Sequence, residues 1–162
     1  LISEFNIVHQ AGSANVKETS SIASVVLKDS RFAERYKIFS LLNTLALRMA
    51  AGAASLVVAR AGSGTIFEVA SWGIPAILVP IPKDVSHDQT ENAFSYARAG
   101  AGIVIEQHNL TPHLLVSEIK RIMDDTAVRT KMSNAARAFA RPDAARKIAA
   151  VLLEISIAHE PI

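Results

Sequence analysis

The chain has 162 residues, half of them hydrophobic, and a net charge of only +2. This is enough apolar sequence for one globular domain, and it excludes an intrinsically disordered chain. The small excess of positive charge argues against nucleic acid as the main partner. The absence of cysteine excludes disulfides and cysteine-based zinc sites.

Short apolar runs alternate with helical patterns along the whole chain. The apolar runs predict strands at 5–9, 36–39, 56–59, 76–80 and 102–105. Helical spacing predicts helices near 16–28, 43–53, 64–72, 87–99, 111–124, 126–140 and 142–157. Strands that are apolar throughout and alternate with helices are typical of a parallel sheet covered on both faces. We therefore predict an α/β fold of Rossmann type, an open parallel sheet with helices on both faces.

Domain organisation follows from the two ends of the chain. Leu1 is not a methionine, and the first ten residues read as the end of a helix running into a strand. We therefore expect residues 1–162 to form a single domain that is truncated at its N-terminus. Residues 107–162 look purely helical, and the amphipathic segment after Pro142 predicts a packed helix in this tail. The apolar run 41–59 has the length of a membrane span, but its polar residues and glycine indicate a helix followed by a strand.

A strand, a glycine turn and a helix follow one another at 59–75, in "ARAGSGTIFEVASWGIP". Gly62 and Gly64 let the backbone approach a ligand closely, and the free N–H groups of the next helix favour phosphate. Phe67 occupies the third glycine position of the dinucleotide fingerprint, and no Walker pattern is present. Ser63 is not in a nucleophile elbow. Two interpretations stay open: a ligand site, or a turn required for tight strand–helix packing.

Glu68 lies about one turn into this predicted helix. A carboxylate can accept hydrogen bonds from both vicinal hydroxyls of a ribose. The alternative is a glutamate near a helix N-terminus that stabilises the helix dipole. The residue by itself does not decide between these roles.

The loop "PIPKDVSHDQTENA" at 80–93 carries a second group of polar residues. Asp88, Gln89 and Asn92 fall at positions i, i+1 and i+4, so Asp88 and Asn92 share one face of a predicted helix, with Gln89 beside them. Their planar carboxylate and amide groups suit sugar hydroxyls. A capping box formed by Ser86 and Gln89 is the alternative, although it does not account for Asn92.

The five histidines, His9, His87, His108, His113 and His159, show no metal-ligand spacing, so we predict no metal site. His9 and Gly12 lie in "HQAG", at the carboxyl end of the first predicted strand, where ligands bind in open α/β sheets. An ordinary connecting loop explains this segment equally well.

Taken together, "VHQAG", "ARAGSGTIFEVASWGIPAILVPIP" and "HDQTENA", in this order and spacing, resemble the C-terminal domain of the MurG family. These bacterial enzymes transfer N-acetylglucosamine (GlcNAc) from UDP-GlcNAc to a lipid-linked MurNAc-pentapeptide, which converts lipid I to lipid II in peptidoglycan synthesis. The segments "AGAGIVIEQHNLTPHLL" and "FARPDAARKIA" fit as well, so the resemblance covers nearly the whole chain.

The resemblance implies a GT-B glycosyltransferase with two Rossmann-like domains, of which the C-terminal one holds the sugar nucleotide. It implies an inverting hexosyl transfer without a covalent intermediate or a cofactor. Helix N-termini and backbone N–H groups stabilise the UDP leaving group, with no required metal. The family's diphosphate-binding G-G-S loop, acceptor site and general base would lie upstream of Leu1, so this fragment holds no catalytic residue and is expected to be inactive by itself.

The resemblance also assigns substrate contacts. Glu68 matches the residue that binds the ribose hydroxyls, and Gln89 and Asn92 match those that read the GlcNAc hydroxyls. Asp88 stands where many members carry a second glutamine, a departure that bears on sugar specificity. The uracil is expected at backbone groups after the second strand. The implied substrate-binding residues are Ser63, Gly64, Thr65, Glu68, Asp88, Gln89 and Asn92, with Leu42 (backbone; Leu41 is the alternative), His9 and Gly12 as weaker candidates.

The same resemblance implies partners and location: UDP-GlcNAc, and a lipid-linked acceptor and membrane surface reached through the missing domain. The protein would be cytoplasmic and peripheral on the inner face of the cell membrane, with roles in cell-wall biogenesis, cell shape and cell division. Three alternatives stay open. They are a soluble donor-binding subunit of a two-chain GlcNAc transferase, an enzyme like UDP-GlcNAc 2-epimerase, and a non-catalytic sugar-nucleotide-binding module.

Overall fold

A computed structural model describes residues 1–85 and 89–158. The chain divides into two compact units, Leu1–Ala54 and the part from Ser55 onward. Both units alternate strands with helices, and every strand pair is parallel. The predicted α/β class with parallel strands is confirmed.

The first unit contains two strand–helix repeats. Its elements are β1 (Ile7–Gln10), α1 (Val16–Val26), a short 3-10 helix (Ala33–Arg35), β2 (Tyr36–Phe39) and α2 (Thr44–Ala53). Strand β1 pairs with β2, with Ile7 opposite Tyr36. Asn43 starts α2 because its side-chain oxygen accepts a hydrogen bond from the N–H of Ala46 at 2.9 Å.

The second unit contains a three-stranded sheet followed by helices. Its elements are β3 (Val57–Ala59), α3 (Ser63–Trp72), β4 (Ala76–Leu78), α4 (Gln89–Arg98), β5 (Gly102–Val104), a 3-10 helix (Gln107–Asn109), α5 (Pro112–Met123), α6 (Thr126–Phe139) and α7 (Ala144–Ala158). The strand order is β3-β4-β5. The apolar run 41–59 therefore separates into α2 and β3, as its polar residues predict. Within the described residues, no helix is both long and apolar enough to cross a membrane.

The central strand β4 carries the core of the second unit. Its three residues are completely buried, because neighbouring strands flank it and helices cover it. A cluster of apolar side chains surrounds the middle of this strand: Ile77, Val79, Ile105, Ile122 and Met132. This packing explains why the strand sequence is apolar throughout and shows no alternation.

The end of α3 follows from Gly73. This glycine has φ +67°, the left-handed conformation that closes a helix without steric cost to a residue lacking Cβ. The Gly73 carbonyl accepts a hydrogen bond from the Ser133 hydroxyl at 2.6 Å, so α6 contacts the same end. Helix α3 packs through a buried face that consists of Ile66, Val69 and Ala70. This packing holds the N-terminal turn of α3 in place.

Four details differ from the sequence predictions. The first, third, fourth and fifth strands are shorter or shifted by one or two residues, and the strands form two sheets, one in each unit. Helix α7 starts at Ala144, two residues after Pro142. The predicted packing of α7 is not observed, since the described helix buries no residue. The start of the helix predicted at 87–99 lies outside the described residues before Gln89.

Candidate functional site

The carboxyl ends of β3 and β4 bring the glycine turn and the start of α4 together. Helix α3 begins at Ser63, and its N-cap Gly62 supplies no side-chain hydrogen bond to the first turn. Ser63 and Gly64 are exposed, and Thr65 is half-buried. The first N–H groups of an α-helix have no partner within the helix. The N-terminal end of α3 therefore offers backbone N–H donors and the positive end of the helix dipole to an anion.

Packing does not require the two glycines of the turn. A Cβ at Gly64 would meet nothing within 4 Å, and a Cβ at Gly62 would have Thr65 Oγ1 as its nearest neighbour, at 4.0 Å. Neither glycine has positive φ. The interpretation that the turn needs glycine for tight strand–helix contact is therefore wrong. What glycine does provide here is an open approach to the backbone of α3.

Glu68 lies on the exposed surface of α3. It falls beyond the first turn, which contains no acidic residue, so the dipole interpretation is weak because that effect fades within one turn. In the described part of the chain its carboxylate forms no salt bridge or hydrogen bond. Its hydrogen-bonding capacity is consequently available to a ligand.

Gln89 and Asn92 both reach the backbone at the end of β3. Gln89 Oε1 accepts hydrogen bonds from the N–H groups of Ala61, at 3.3 Å, and Ile81, at 3.1 Å. Asn92 Nδ2 donates to the Ala61 carbonyl at 3.5 Å. The two predicted sugar-contacting amides thus lie beside the glycine turn. Asp88, His87 and Ser86, and with Ser86 the capping box, fall outside the described residues.

The three weaker candidates lie in the first unit. His9 Nδ1 and the Tyr36 hydroxyl are hydrogen-bonded at 2.6 Å, which gives His9 a structural partner across the β1–β2 pair. Gly12 has φ +82°, a backbone conformation suited to glycine. The N–H of Leu42 donates to Gln10 Oε1 at 2.9 Å, so its carbonyl is the backbone group that a ligand would use.

Two residues that the sequence analysis did not select also lie at the strand ends. Gln10 holds the loop after β2 through Leu42. Arg60 Nη1 donates to the Val79 carbonyl at 3.2 Å and to Gln107 Oε1 at 2.5 Å. The sequence feature that could have identified Arg60 is its basic side chain directly after β3 and before the glycine turn. In the described ranges, no three His, Cys, Asp or Glu residues are grouped so as to hold a metal ion.

Comparison with known proteins gives a consistent result. The glycosyltransferase family 28 C-terminal domain matches residues 1–148. The chain is 35% identical over 153 residues to the UDP-N-acetylglucosamine--N-acetylmuramyl-(pentapeptide) pyrophosphoryl-undecaprenol N-acetylglucosamine transferase of Sorangium cellulosum, covering 94% of this chain and 36% of that protein. It is 37% identical to the Methylococcus capsulatus protein of the same name, covering 91% of this chain and 40% of that protein.

Solved structures agree. The crystal structure of Acinetobacter baumannii MurG matches with a TM-score of 0.74 at 30% identity, covering 92% of this chain and 41% of that one. A UDP-N-acetylglucosamine 2-epimerase matches with a TM-score of 0.63 at 17% identity, covering 99% and 38%, which shows likeness of fold. The chain thus spans about two fifths of the length of these relatives. The match over residues 1–148 establishes that the chain belongs to the glycosyltransferase family 28 C-terminal domain family.

Proposed function

We propose that this chain is the UDP-GlcNAc-binding part of an inverting glycosyltransferase that converts lipid I to lipid II in peptidoglycan synthesis. The observation that carries this proposal is the open glycine turn at the start of α3, where neither Gly62 nor Gly64 has a packing role. The relatives at 35% and 37% identity are transferases named for this reaction. The substrate in this proposal is taken from the names of these relatives, and the backbone N–H groups at the start of α3 suit its diphosphate.

The proposed donor pose follows from the chemistry of the groups around the turn. The first-turn N–H groups of Ser63, Gly64 and Thr65 face the diphosphate and stabilise the charge that UDP acquires as it leaves. Glu68, one turn further along α3, accepts hydrogen bonds from the ribose hydroxyls. Gln89 lies beside the turn and contacts the sugar. The acceptor, whose hydroxyl attacks the sugar, is held by residues outside this chain.

The remaining contacts belong to the same proposal. Asn92 and Asp88 read sugar hydroxyls. In the first unit, the Leu42 backbone is the proposed uracil contact, and His9 and Gly12 are weaker proposed substrate contacts. Residues 1–162 act as one donor-binding domain. The complete enzyme works at the inner face of the bacterial cell membrane, where its product serves cell-wall growth, cell shape and division.

Isothermal titration of the chain with UDP and with 2′-deoxy-UDP tests the ribose contact. We expect Glu68→Ala to weaken UDP binding by about 1.5–3 kcal/mol, or roughly 10- to 150-fold, because a hydrogen bond to a charged group is lost. The variant should also lose the preference for UDP over 2′-deoxy-UDP. Glu154→Ala, an exposed glutamate of α7, is the matched control and should bind as the unaltered chain does.

The pair of ligands separates a ribose contact from a general change in charge. A Glu68→Ala variant that binds UDP as tightly as the unaltered chain would remove Glu68 from the site. A variant that binds both ligands more weakly but keeps the full preference for UDP would show that Glu68 acts elsewhere than on the 2′-hydroxyl. Absence of UDP binding by the unaltered chain would contradict the proposed function.

A further inference from the structure

The backbone N–H and C=O of Ala61 are buried between the end of β3 and the glycine turn. Ala61 is 0% exposed, so its N–H and C=O need hydrogen-bond partners within the protein. In the described part of the chain these partners are side chains of α4: Gln89 Oε1 for the N–H and Asn92 Nδ2 for the carbonyl. Two amides, one helical turn apart, therefore hold both backbone polar groups of one residue.

The same Gln89 oxygen also holds the loop after β4. A carbonyl oxygen has two lone pairs, and Gln89 Oε1 uses them for the N–H groups of Ala61 and Ile81. Ala61 leads into the first turn of α3, and Ile81 leads out of the central strand. One side chain thus connects the ends of two neighbouring strands to the start of α4.

These contacts determine which way each amide points. The partners of an amide determine its orientation, because only its nitrogen donates and only its oxygen accepts. Two N–H groups face Gln89, so its oxygen must face them and its Nε2 donor is left for other use. A carbonyl faces Asn92, so its nitrogen is engaged and its Oδ1 acceptor is left. The groups without a partner in the described residues are thus the Gln89 Nε2 amino group, which donates, and the Asn92 Oδ1 oxygen, which accepts.

We propose that Gln89 and Asn92 are positioning residues that lock the glycine turn through Ala61. The sugar contact of these two amides rests on the proposed function, and the lock determines which group of each is left for it: the Gln89 Nε2 group and the Asn92 Oδ1 acceptor. Gln89 thereby affects nucleotide binding without touching the nucleotide, because it holds the N–H of Ala61, the residue before the N-cap of α3.

Three variants separate the two roles of these amides. Gln89→Met removes both the acceptor and the donor at similar length. Gln89→Glu keeps an acceptor for the two N–H groups and removes the Nε2 donor. Asn92→Asp keeps the Oδ1 acceptor and replaces the donor to Ala61. Gln10→Met is the matched control for exchange, since Gln10 accepts from the Leu42 N–H in the first unit.

Amide hydrogen exchange of the ligand-free chain, followed by NMR, is the first measurement. In Gln89→Met we expect the amides of Ala61 and Ile81 to exchange at least about tenfold faster, because their protecting acceptor is gone. Gln89→Glu should restore protection at both amides, and Gln10→Met should affect Leu42 and leave both protected. Asn92→Asp should speed exchange around Ala61. Unchanged exchange in Gln89→Met, or no rescue by Gln89→Glu, would overturn the positioning role.

Titration with UDP and UDP-GlcNAc is the second measurement. Gln89→Met should weaken UDP binding about tenfold, as expected for a disturbed anion site. Gln89→Glu should lower the preference for UDP-GlcNAc over UDP about tenfold. Free UDP carries about one more negative charge than UDP-GlcNAc at neutral pH, so repulsion by the new carboxylate would raise this preference, and a fall reports the lost Nε2 donor. UDP affinity unchanged in Gln89→Met would overturn the effect on the nucleotide, and an unchanged preference in Gln89→Glu would overturn the sugar contact.

The exchange experiment needs no ligand, which separates this inference from the proposed function. The expected exchange pattern in a chain that does not bind UDP would support the lock on Ala61 and contradict the proposed function. Normal UDP binding with unaltered exchange in Gln89→Met would contradict the lock and leave the proposed function intact.

Discussion

Replacing Gly64 with alanine should separate ligand binding from stability. Gly64 is the second residue of α3, is exposed and has no positive φ. A Cβ added there would meet nothing within 4 Å. Alanine is a better helix former than glycine by up to about 1 kcal/mol, so the free energy of unfolding should stay the same or rise slightly.

The effect on binding should have the opposite sign. The methyl group would occupy the space through which a phosphate approaches the first-turn N–H groups, and such hydrogen bonds are about 2.9 Å long. An ordinary van der Waals contact of a Cβ begins at 3.4 Å, so ligand and methyl group compete for the same space. Loss of one hydrogen bond to a charged group costs about 1.5–3 kcal/mol, which weakens UDP-GlcNAc binding roughly 10- to 150-fold.

Urea unfolding and isothermal titration of the same preparation provide the test. Gly52→Ala is the matched control, because Gly52 lies inside helix α2 and a Cβ there also meets nothing within 4 Å. The control should stabilise the chain by about 0.5–1 kcal/mol and leave binding unchanged. If Gly64→Ala binds UDP-GlcNAc as tightly as the unaltered chain, the diphosphate does not use the first turn of α3, and the reasoning from the open glycine turn fails.

Other predictions concern stability. Tyr96→Phe should raise the free energy of unfolding by about 1 kcal/mol in urea melts, because in the described residues the buried Tyr96 hydroxyl has no hydrogen-bond partner. Burial raises the pKa of Tyr96 from 10.0 to about 12. The unfolded chain therefore loses this proton first, and stability should fall between about pH 10 and 12 by about 2–3 kcal/mol. A similar fall in Tyr96→Phe would contradict this origin. Gly102→Ala should destabilise by about 2–3 kcal/mol, since its Cβ would lie 2.8 Å from the Ala76 carbonyl oxygen. Gly73→Ala should cost about 1–2 kcal/mol, from its positive φ, because the clashing Arg137 side chain can move. Equal melting temperatures for the two glycine variants would contradict this ranking.

The sequence determined those features that depend on neighbouring residues. The helix–strand division of 41–59 is local, because Asn43 caps α2 through a residue three positions away. The end of α3 is local for the same reason, since Gly73 closes the helix through its own backbone conformation. Apolar runs likewise predicted the parallel strands, although strand ends shifted where pairing stopped. The likeness to a glycosyltransferase family was also readable, because it rests on short segments in a particular order.

Tertiary structure decided what the polar side chains contact and which apolar faces are covered. The sequence allowed Gln89 a capping role or a sugar contact, but its observed partner Ala61 lies 28 positions away. Such a contact depends on how β3, β4 and α4 pack together, which no local pattern contains. That packing does not require glycine at position 64 likewise became clear only once the space around its backbone was known. The amphipathic pattern of α7 predicted a packed helix, yet that helix buries no residue here, since periodicity identifies an apolar face and does not specify what covers it.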